Sequence, residues 1–471
     1  MLFTDLSFWV FFALAAVLYA VLPHRGQNRM LLVASYVFYG AWDWRFLSLI
    51  IASTVTDYLV SLKLDKETVE SRRKVLLSVS LAANLGILAI FKYLGFFADS
   101  LQSLVMGFGY QLDPITLSIV LPVGISFYTF QTLGYSIDVY RRDIRPEKDF
   151  FDFALFVAFF PQLVAGPIER AKNLLPNIKN PRQVGFESIR RGVILCLLGL
   201  IKKVVIADGV APFVDTVFST SNPTQLEILL AIWLFAIQIY CDFSGYSDIA
   251  RGIAKMLGFN LMRNFAQPYF AINPQDFWRR WHISLSTWLR DYLYISLGGN
   301  RGGRWKTKRN LMATMMIGGL WHGAAWNFVA WGTYQGGLLV LHKLGVFRIA
   351  QQGRMVAGVV HLLKIALFFQ VVCFGWLLFR AESFDQIADM TGRLFGTIDT
   401  AGGINVKMPA FAALLGVGVL ILWDAVVEIT KDDHFYRRLP PSLRACLYAM
   451  MIYFFAFGGS TQSSAFIYFA F

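Results

Sequence analysis

Two of the six histidines in this 471-residue chain lie where an imidazole could do acid–base chemistry. His322 is in the middle of a stretch from residue 310 to residue 341 that contains no Lys, Arg, Asp or Glu. Such a stretch is typical of membrane-embedded structure, where an ionisable side chain is costly to keep and is therefore a functional candidate. His282 lies upstream, on the apolar face of an aromatic-rich segment. We expect the two histidines to form one site, in which desolvation keeps an imidazole neutral and able to act as a general base.

Each histidine also has a structural interpretation that the residues alone leave open. His322 could be a buried side chain whose ring bonds a helix carbonyl, and His282 could fill an interfacial position with its polar edge hydrated. The small residues in the string LWHGAAWN around His322 favour an open or closely packed site instead. No Cys and no pair of acids accompanies the two histidines, so the sequence predicts no metal site.

Two further residues are possible helpers of the histidines. Asp242 belongs to the polar string QIYCDFSGYSDIARG, in which two acids and the hydroxyls of Tyr240, Ser244 and Tyr246 could line a hydrated path or orient a histidine. The same string could instead be the first polar turn at the cytoplasmic end of an apolar helix. Asn327, which follows His322 closely along the chain, is the second possible helper.

The element that positions His282 begins with a strong helix start at Asn273. Asn is a good N-cap, Pro274 suits the first helical position, and Asp276 in the first turn favours the helix dipole. We expect one amphipathic helix at the cytoplasmic boundary of the membrane. Its inward face would carry Trp278, Trp281, His282, Leu285, Leu289 and Tyr292.

The segment that positions His322 is too long for one membrane span and has basic residues at both ends. We predict that residues 310–342 form two half-helices, broken by Gly-Gly and His-Gly, which meet inside the membrane. Such a break is tolerated only where protein or a water-filled cavity covers the backbone. Residues 151–166 form a shorter apolar segment between basic loops, and a re-entrant or in-plane helix is predicted there.

Composition places the whole chain in a membrane. It is 56% hydrophobic and 15% charged, against roughly 25% charged residues in soluble domains. Apolar runs of about 20 residues, enough to cross roughly 30 Å of hydrocarbon, recur along it. Therefore a net charge of +13 indicates basic cytoplasmic loops rather than a nucleic-acid partner. The four cysteines, outside any CxxC pair, are predicted to be small buried hydrophobes.

The distribution of Lys and Arg predicts the topology. Residues 63–74 contain five and residues 251–309 contain eleven, whereas residues 99–114 and 215–225 contain none. The positive-inside rule then places the basic loops in the cytoplasm and both termini outside. Lys202 and Lys203 fall inside an apolar stretch, and we expect them to snorkel to the cytoplasmic surface, with the crossing starting after them.

Five stretches together resemble the membrane-bound O-acyltransferase family, in its bacterial branch of alginate O-acetyltransferases and teichoic-acid D-alanyl transfer proteins. The stretches are PVGISFYTFQTLGYSIDVYR (122–141), FPQLVAGPIER (160–170), CDFSGYSDIARGIAKMLGF (241–259), NFAQPYFAINPQDFWRRWHISLSTWLRDYLYISLGGNR (264–301) and GLWHGAAWNFVAWGTYQG (319–336). The last two are long and specific, and the resemblance covers nearly the whole chain.

The resemblance implies that His322 is the catalytic histidine and that His282 is the second active-site residue. It also implies an all-α polytopic integral membrane protein, a ring of helices around a funnel with re-entrant and interfacial helices, built as one domain over residues 1–471. We expect no tightly bound cofactor. Acetyl-CoA or another acyl donor on the cytoplasmic side would be a substrate, and residues that bind the donor are unknown.

The expected function is transfer of an acetyl group across a bacterial inner membrane for O-acetylation of an exported, alginate-like polysaccharide, completed with a periplasmic acetyltransferase partner. D-alanyl transfer to teichoic acid is the alternative within the family. A channel or transporter that feeds a periplasmic transferase without catalysis is the alternative from another class. A basic cytoplasmic face could receive an acidic carrier protein or the phosphates of acetyl-CoA, or could simply be solvated. It comprises Arg279, Arg280, Arg304, Lys306 and Lys308.

Overall fold

The computed structural model describes residues 1–109, 120–164, 166–347, 354–396, 403–459 and 466–467. Within these ranges the regular structure is helical and contains no strand. The chain divides into two compact units, Met1–Val193 with Ala250–Met262, and Ile194–Ile249 with Arg263–Phe471. Whether the two units act as the single expected domain stays a prediction.

The α-helices in chain order are α1 (Leu6–Val21), α2 (His24–Asp43), α3 (Leu47–Lys66), α4 (Glu70–Leu88), α5 (Leu94–Gly107), α6 (Ile125–Arg141), α7 (Phe150–Ala158), α8 (Phe160–Leu163), α9 (Ala171–Lys179), α10 (Phe186–Leu200), α11 (Asp208–Ser219), α12 (Gln225–Met256), α13 (Pro274–Arg280), α14 (Ile283–Trp288), α15 (Arg304–His322), α16 (Trp326–Leu344), α17 (Arg354–Arg380), α18 (Phe384–Phe395), α19 (Phe411–Thr430) and α20 (Pro441–Gly458). Wider π-helical turns lie at Ala89–Tyr93, Ile201–Ala207 and Leu289–Tyr294, and tighter 3₁₀ turns at Trp44–Phe46, Pro268–Phe270 and Phe435–Arg438.

Six helical stretches among the described residues are long and apolar enough to cross a membrane. They are His24–Lys66, Glu70–Gly107, Gln225–Met256, Gly358–Arg380, Phe411–Thr430 and Pro441–Gly458. The last of them buries only Met451, so its apolar side chains need lipid or another partner around them. The chain is therefore an all-α, multi-pass membrane protein, as the composition predicts.

The first unit is held together by a buried polar network between α3, α4 and α6. The carboxylate of Asp57 accepts hydrogen bonds from Ser80 Oγ, from Asn84 Nδ2 at 2.8 Å and from Ser136 Oγ at 2.9 Å. Polar side chains buried in this way must bond one another, because lipid offers them no partner. The network explains why these apolar helices contain so many small hydroxyl side chains.

The predicted non-crossing segment at residues 151–166 is two short helices in the structure, α7 and α8. The nine residues of α7 span about 13 Å at 1.5 Å per residue, well short of a bilayer. Phe153 to Leu163 are all buried in the first unit. The length agrees with a segment that does not cross the membrane.

The predicted break in residues 310–342 is confirmed at His-Gly but not at Gly-Gly. Helix α15 runs without interruption through Gly318 and Gly319 to His322, and α16 begins at Trp326. Each helix has 19 residues, or about 28 Å, so the expectation of half-helices is wrong in length. The Gly pair is not a break, since it lies where the two helices pack against each other.

Close contact of α15 and α16 depends on glycine on both helices. A Cβ on Gly319 would overlap the carbonyl oxygen of Phe328, and a Cβ on Gly332 would overlap that of Met315. Small residues at such positions let two helix backbones approach closely. The two helices therefore form a tight hairpin, with His322 at its turn.

The expectation that Lys202 and Lys203 snorkel to the surface is wrong. The Lys203 side chain is 1% exposed, and its Nζ lies 2.8 Å from the carboxylates of both Asp208 and Asp242. Lys202 Nζ lies 2.8 Å from Asp248. The physical reason is that nearby carboxylates compensate the cost of burying the ammonium groups.

The prediction for the cysteines holds for three of the four. Cys196, Cys241 and Cys373 are buried, and Cys446 is exposed on α20. Cys446 is not buried because α20 packs only a narrow face against the protein.

Candidate functional site

His322 is the last residue of α15 and is buried, with 3% of its surface exposed. The helix stops there because Gly323 takes up an extended conformation. The ring of Phe328 lies so close to Gly323 that a Cβ at this position would overlap its carbon atoms. Thus the small residue after the histidine sets the tight turn that fixes His322 at the end of its helix.

Aromatic rings surround the His322 imidazole. Ring centroids lie at 5.0 Å for Trp321, 5.0 Å for Trp331 and 5.6 Å for Phe379, all in edge-to-face arrangements. These rings come from α15, α16 and α17, so three helices fix the orientation of one imidazole. Their apolar surfaces keep bulk water away from it.

His282 lies at a turn between two helices, not within one. Helix α13 ends at Arg280, and His282 takes a left-handed conformation with φ 42° before α14 begins. The prediction of one continuous amphipathic helix is therefore wrong. The predicted helix start at Asn273 is confirmed, because Asn273 Oδ1 accepts a hydrogen bond from the Asp276 N–H at 2.9 Å. A left-handed residue other than glycine is uncommon, and such strain clusters at functional sites.

Buried Asn264 holds the His282 turn in place. Its carbonyl accepts the Ile283 N–H at 2.9 Å, its side-chain oxygen accepts the Ser284 N–H at 3.3 Å, and its amide donates to Ser247 at 3.0 Å. The sequence analysis missed Asn264, because a loop residue carries no periodic signal that would single it out. Asn264 thereby holds the two residues that directly follow the strained His282 backbone.

The His282 ring is completely buried. It meets Phe243 edge to face with centroids 4.6 Å apart, and its Nδ1 lies 3.5 Å from the hydroxyl of Ser284. Its Nε2 finds no hydrogen-bond partner among the described residues. Desolvation lowers the pKa of the His282 imidazole to about 3, because burial penalises the charged form. His282 is therefore neutral at any working pH.

The structure brings both histidines to the same indole ring. The Trp321 centroid lies 5.0 Å from that of His322 and 6.0 Å from that of His282. Packing within the second unit thus brings His282 and His322, which are far apart in sequence, into contact with one indole ring. The arrangement agrees with one shared site, whose acid–base role stays a prediction.

The two predicted helpers have partners other than the histidine rings. Asp242 pairs with Lys203 and accepts the Ile467 N–H at 2.6 Å. It lies inside the long helix α12, which continues past this string to Met256. Asn327 donates its amide to the carbonyl of Ala381 at 2.8 Å and thereby ties α16 to the end of α17. Their helper roles stay predictions.

Trp331 and Phe379 are site residues that the sequence analysis did not single out. Trp331 follows Asn327 by four residues on α16, and residues at that spacing share a helix face. This spacing was the available signal for Trp331. Nothing local to Phe379 predicts its contact with His322, since the two lie on different helices. No group of three or more His, Cys, Asp or Glu suitable for a metal ion occurs among the described residues.

The helices define a class of protein, namely multi-pass membrane proteins, and the two buried histidines are its candidate acid–base site. The family model of the membrane-bound O-acyltransferase family matches residues 143–379, a range that includes both histidines. The chain belongs to this family and is an O-acyltransferase.

Three relatives show how far the similarity extends. The chain is 43% identical to the probable alginate O-acetylase of Pseudomonas putida over 94% of its own length and 89% of the relative's. It is 41% identical to that of Azotobacter vinelandii, over 92% and 85% of the two chains. It is 35% identical to the peptidoglycan O-acetyltransferase of Helicobacter pylori, over 81% and 77%.

Proposed function

We propose that the chain passes an acetyl group from a cytoplasmic donor across a bacterial inner membrane for O-acetylation of an exported, alginate-like polysaccharide. The observation that carries the proposal is the pair of buried histidines on one indole ring, in a chain of the O-acyltransferase family. The names of the relatives, which are O-acetylases of two different polymers, support acetyl as the group and a polysaccharide as the acceptor.

In the proposed mechanism His322 is the general base. It takes the proton from an acceptor hydroxyl while the oxygen attacks the acyl carbonyl carbon. A C–O bond forms, and negative charge moves to the carbonyl oxygen of a tetrahedral intermediate. Collapse breaks the bond to the leaving group, which is a thiolate when acetyl-CoA is the donor, and the imidazolium returns the proton to it. The donor brings the activated acyl group, so no tightly bound cofactor takes part.

His282 positions the donor or stabilises the developing charge in this scheme. Because burial keeps its imidazole neutral, it acts through a hydrogen bond and not as a cation. Its Nε2, which has no partner among the described protein atoms, is the atom available for that bond.

The donor is proposed to arrive at the basic face. Arg280 is excluded from a role in binding it, because its guanidinium is held by Asp276 at 2.9 Å and by Glu428 at 2.7 Å. Arg304 and Lys306 are exposed at the start of α15, the helix that ends at His322. Their charges are available to the phosphates of acetyl-CoA or to an acidic carrier protein. A periplasmic acetyltransferase partner would then complete delivery to the polymer.

Replacement of His322 tests the proposal directly. Purified His322→Ala in proteoliposomes, supplied with labelled acetyl-CoA and a mannuronate oligosaccharide, should lose at least about 100-fold in transfer rate, the lower range for a general base. The matched control is His361→Ala, a histidine exposed on α17, which should transfer at the wild-type rate. Near-normal turnover by folded His322→Ala would refute the assignment.

The same assay separates the alternatives. Transfer only in the presence of a periplasmic transferase would indicate a relay, and transfer without any partner would indicate a complete enzyme. Uptake of the acetyl group without transfer under either condition would favour a transporter. Use of a D-alanyl donor in place of acetyl-CoA would favour teichoic-acid D-alanylation.

A further inference from the structure

Three buried indole N–H groups, those of Trp331 and of two tryptophans that contact it, have no acceptor among the described residues. The Nε1 atoms of Trp278, Trp331 and Trp376 are inaccessible to solvent and find no hydrogen-bond partner among the described residues. The rings of Trp331 and Trp376 are each 1% exposed. The rings of Trp331 and Trp376 are stacked, with centroids 6.0 Å apart. The ring centroid of Trp278 lies 5.9 Å from that of Trp331.

Leaving such a donor unpaired costs free energy. A buried polar group without a partner keeps the full cost of losing its water, and most buried donors in proteins do find an acceptor. Phenylalanine would fill much of the same space without that cost. The contrast is Trp233, whose indole N–H donates to Gln370 Oε1 at 2.9 Å. An unpaired indole beside a catalytic base therefore points to an acceptor that a ligand supplies.

Trp331 is the member of this group that contacts His322. Its ring meets the imidazole at 5.0 Å with an interplanar angle of 86°, and Phe379 lies 5.3 Å from it on another side. The ring contacts of Trp331 among the described residues are with Trp278, His322, Trp376 and Phe379. A substrate oxygen that reaches the His322 imidazole is accordingly close to the indole as well.

We propose that the Trp331 indole N–H donates to the acyl carbonyl oxygen and stabilises the negative charge that this oxygen gains in the tetrahedral intermediate. The inference rests on the proposed function and adds a catalytic residue to it. As the acceptor oxygen attacks and His322 takes its proton, the carbonyl π electrons move onto the oxygen that faces the indole. They return when the bond to the leaving group breaks, so the indole proton is never transferred.

Stabilisation of developing charge by the Trp331 N–H is favoured over simple binding of the acyl donor. A fixed donor aimed at developing charge, in a site from which water is excluded, stabilises the transition state more than the ground state. Loss of one such donor reduces kcat by about 100-fold to 1,000-fold in other acyl-transfer enzymes. A bond to another carbonyl of the donor molecule would instead change KM.

The test removes the N–H while keeping the ring. Trp331 is replaced by 3-benzothienylalanine, in which sulfur stands where the indole has N–H, and transfer from labelled acetyl-CoA is measured in proteoliposomes. We expect kcat to fall by about 100-fold or more, with KM for acetyl-CoA changed less than threefold. The same replacement of Trp233 is the matched control and should leave kcat unchanged.

Fluorinated tryptophans at position 331 provide a second measurement that preserves the fold. Fluorine makes the indole N–H a stronger donor, so kcat should change steadily with the acidity of that proton. Unchanged kcat in both experiments, or a change in KM alone, overturns the inference.

His322→Ala, measured in parallel, separates the two hypotheses. If His322→Ala retains activity, the proposed function fails. If His322→Ala is inactive but the Trp331 replacements keep the wild-type kcat, only the proposed hydrogen bond from Trp331 to the acyl carbonyl oxygen fails.

Discussion

The backbone of His282 lies in a conformation that few side chains adopt. Its φ of 42° places it in the left-handed region, which costs a residue other than glycine roughly 1–2 kcal/mol. Glycine would fit this position without strain, so the imidazole is retained at a cost to stability. A cost of this kind is expected where a side chain serves function.

This conflict between stability and function gives a prediction for two substitutions. His282→Ala keeps the strain and loses the imidazole, whereas His282→Gly loses both. We expect both variants to lose most transfer activity, and His282→Gly to be more stable than His282→Ala by about 1 kcal/mol. Thermal unfolding in detergent and the proteoliposome assay measure the two quantities. If both substitutions lowered the transfer activity only slightly, His282 would have a role in packing and none in catalysis.

At the scale of elements, the hairpin of α15 and α16 carries the site. Its turn holds His322, while α16 supplies Trp331 and Asn327. The hairpin depends on glycine at its helix contact, because Gly319 and Gly332 face each other with no room for a Cβ. Any separation of these helices would move His322 relative to Trp331.

A pair of glycine substitutions on α16 tests this dependence. Gly332→Ala would push a methyl group against the Met315 carbonyl, and we expect it to destabilise the protein by about 1–3 kcal/mol and to lower the transfer rate. Gly337→Ala is the matched control, because nothing lies within 4 Å of a Cβ there. That variant should be as stable as wild type or slightly more so. Equal stability and equal transfer rates of the two variants would show that the close contact of α15 and α16 at Gly332 is not required.

At the scale of the whole molecule, the loop charges predict which side of the membrane each loop faces. Residues 63–74, at the end of α3 and the start of α4, contain five Lys and Arg, and the turn between these helices is predicted to be cytoplasmic. Residues 99–114, which include the C-terminal part of α5 and the loop after it, contain no basic residue, and this loop is predicted to lie outside. Residues 110–114 of that loop are outside the described residues. The helical stretch between the two loops, Glu70–Gly107, is long enough to cross.

Single cysteines test the predicted orientation. Since Cys446 is exposed, it is first replaced by Ser. Thr68→Cys and Phe108→Cys then place one thiol at each end of the Glu70–Gly107 stretch. We expect a membrane-impermeant maleimide to label Phe108→Cys in intact spheroplasts, and Thr68→Cys only after permeabilisation. The reverse pattern would invert the topology and place the acyl donor on the opposite side.

The sequence by itself determined the class of protein, the candidate pair of histidines, the helix start at Asn273 and the break after His322. These follow from composition, charge and capping, which act within a few residues along the chain. They also single out the two histidines as candidates, although local patterns could not show that both contact one indole ring.

Only the tertiary structure decided how those residues are arranged. It placed Trp321 against both imidazoles, gave His282 its left-handed backbone, and paired Lys203 with Asp208 and Asp242. Each outcome depends on helices that are distant in sequence and meet only when the unit packs. The free energies that select them, the burial of charge and the close fit of aromatic rings, exist only in the packed state, and short-range patterns do not encode them.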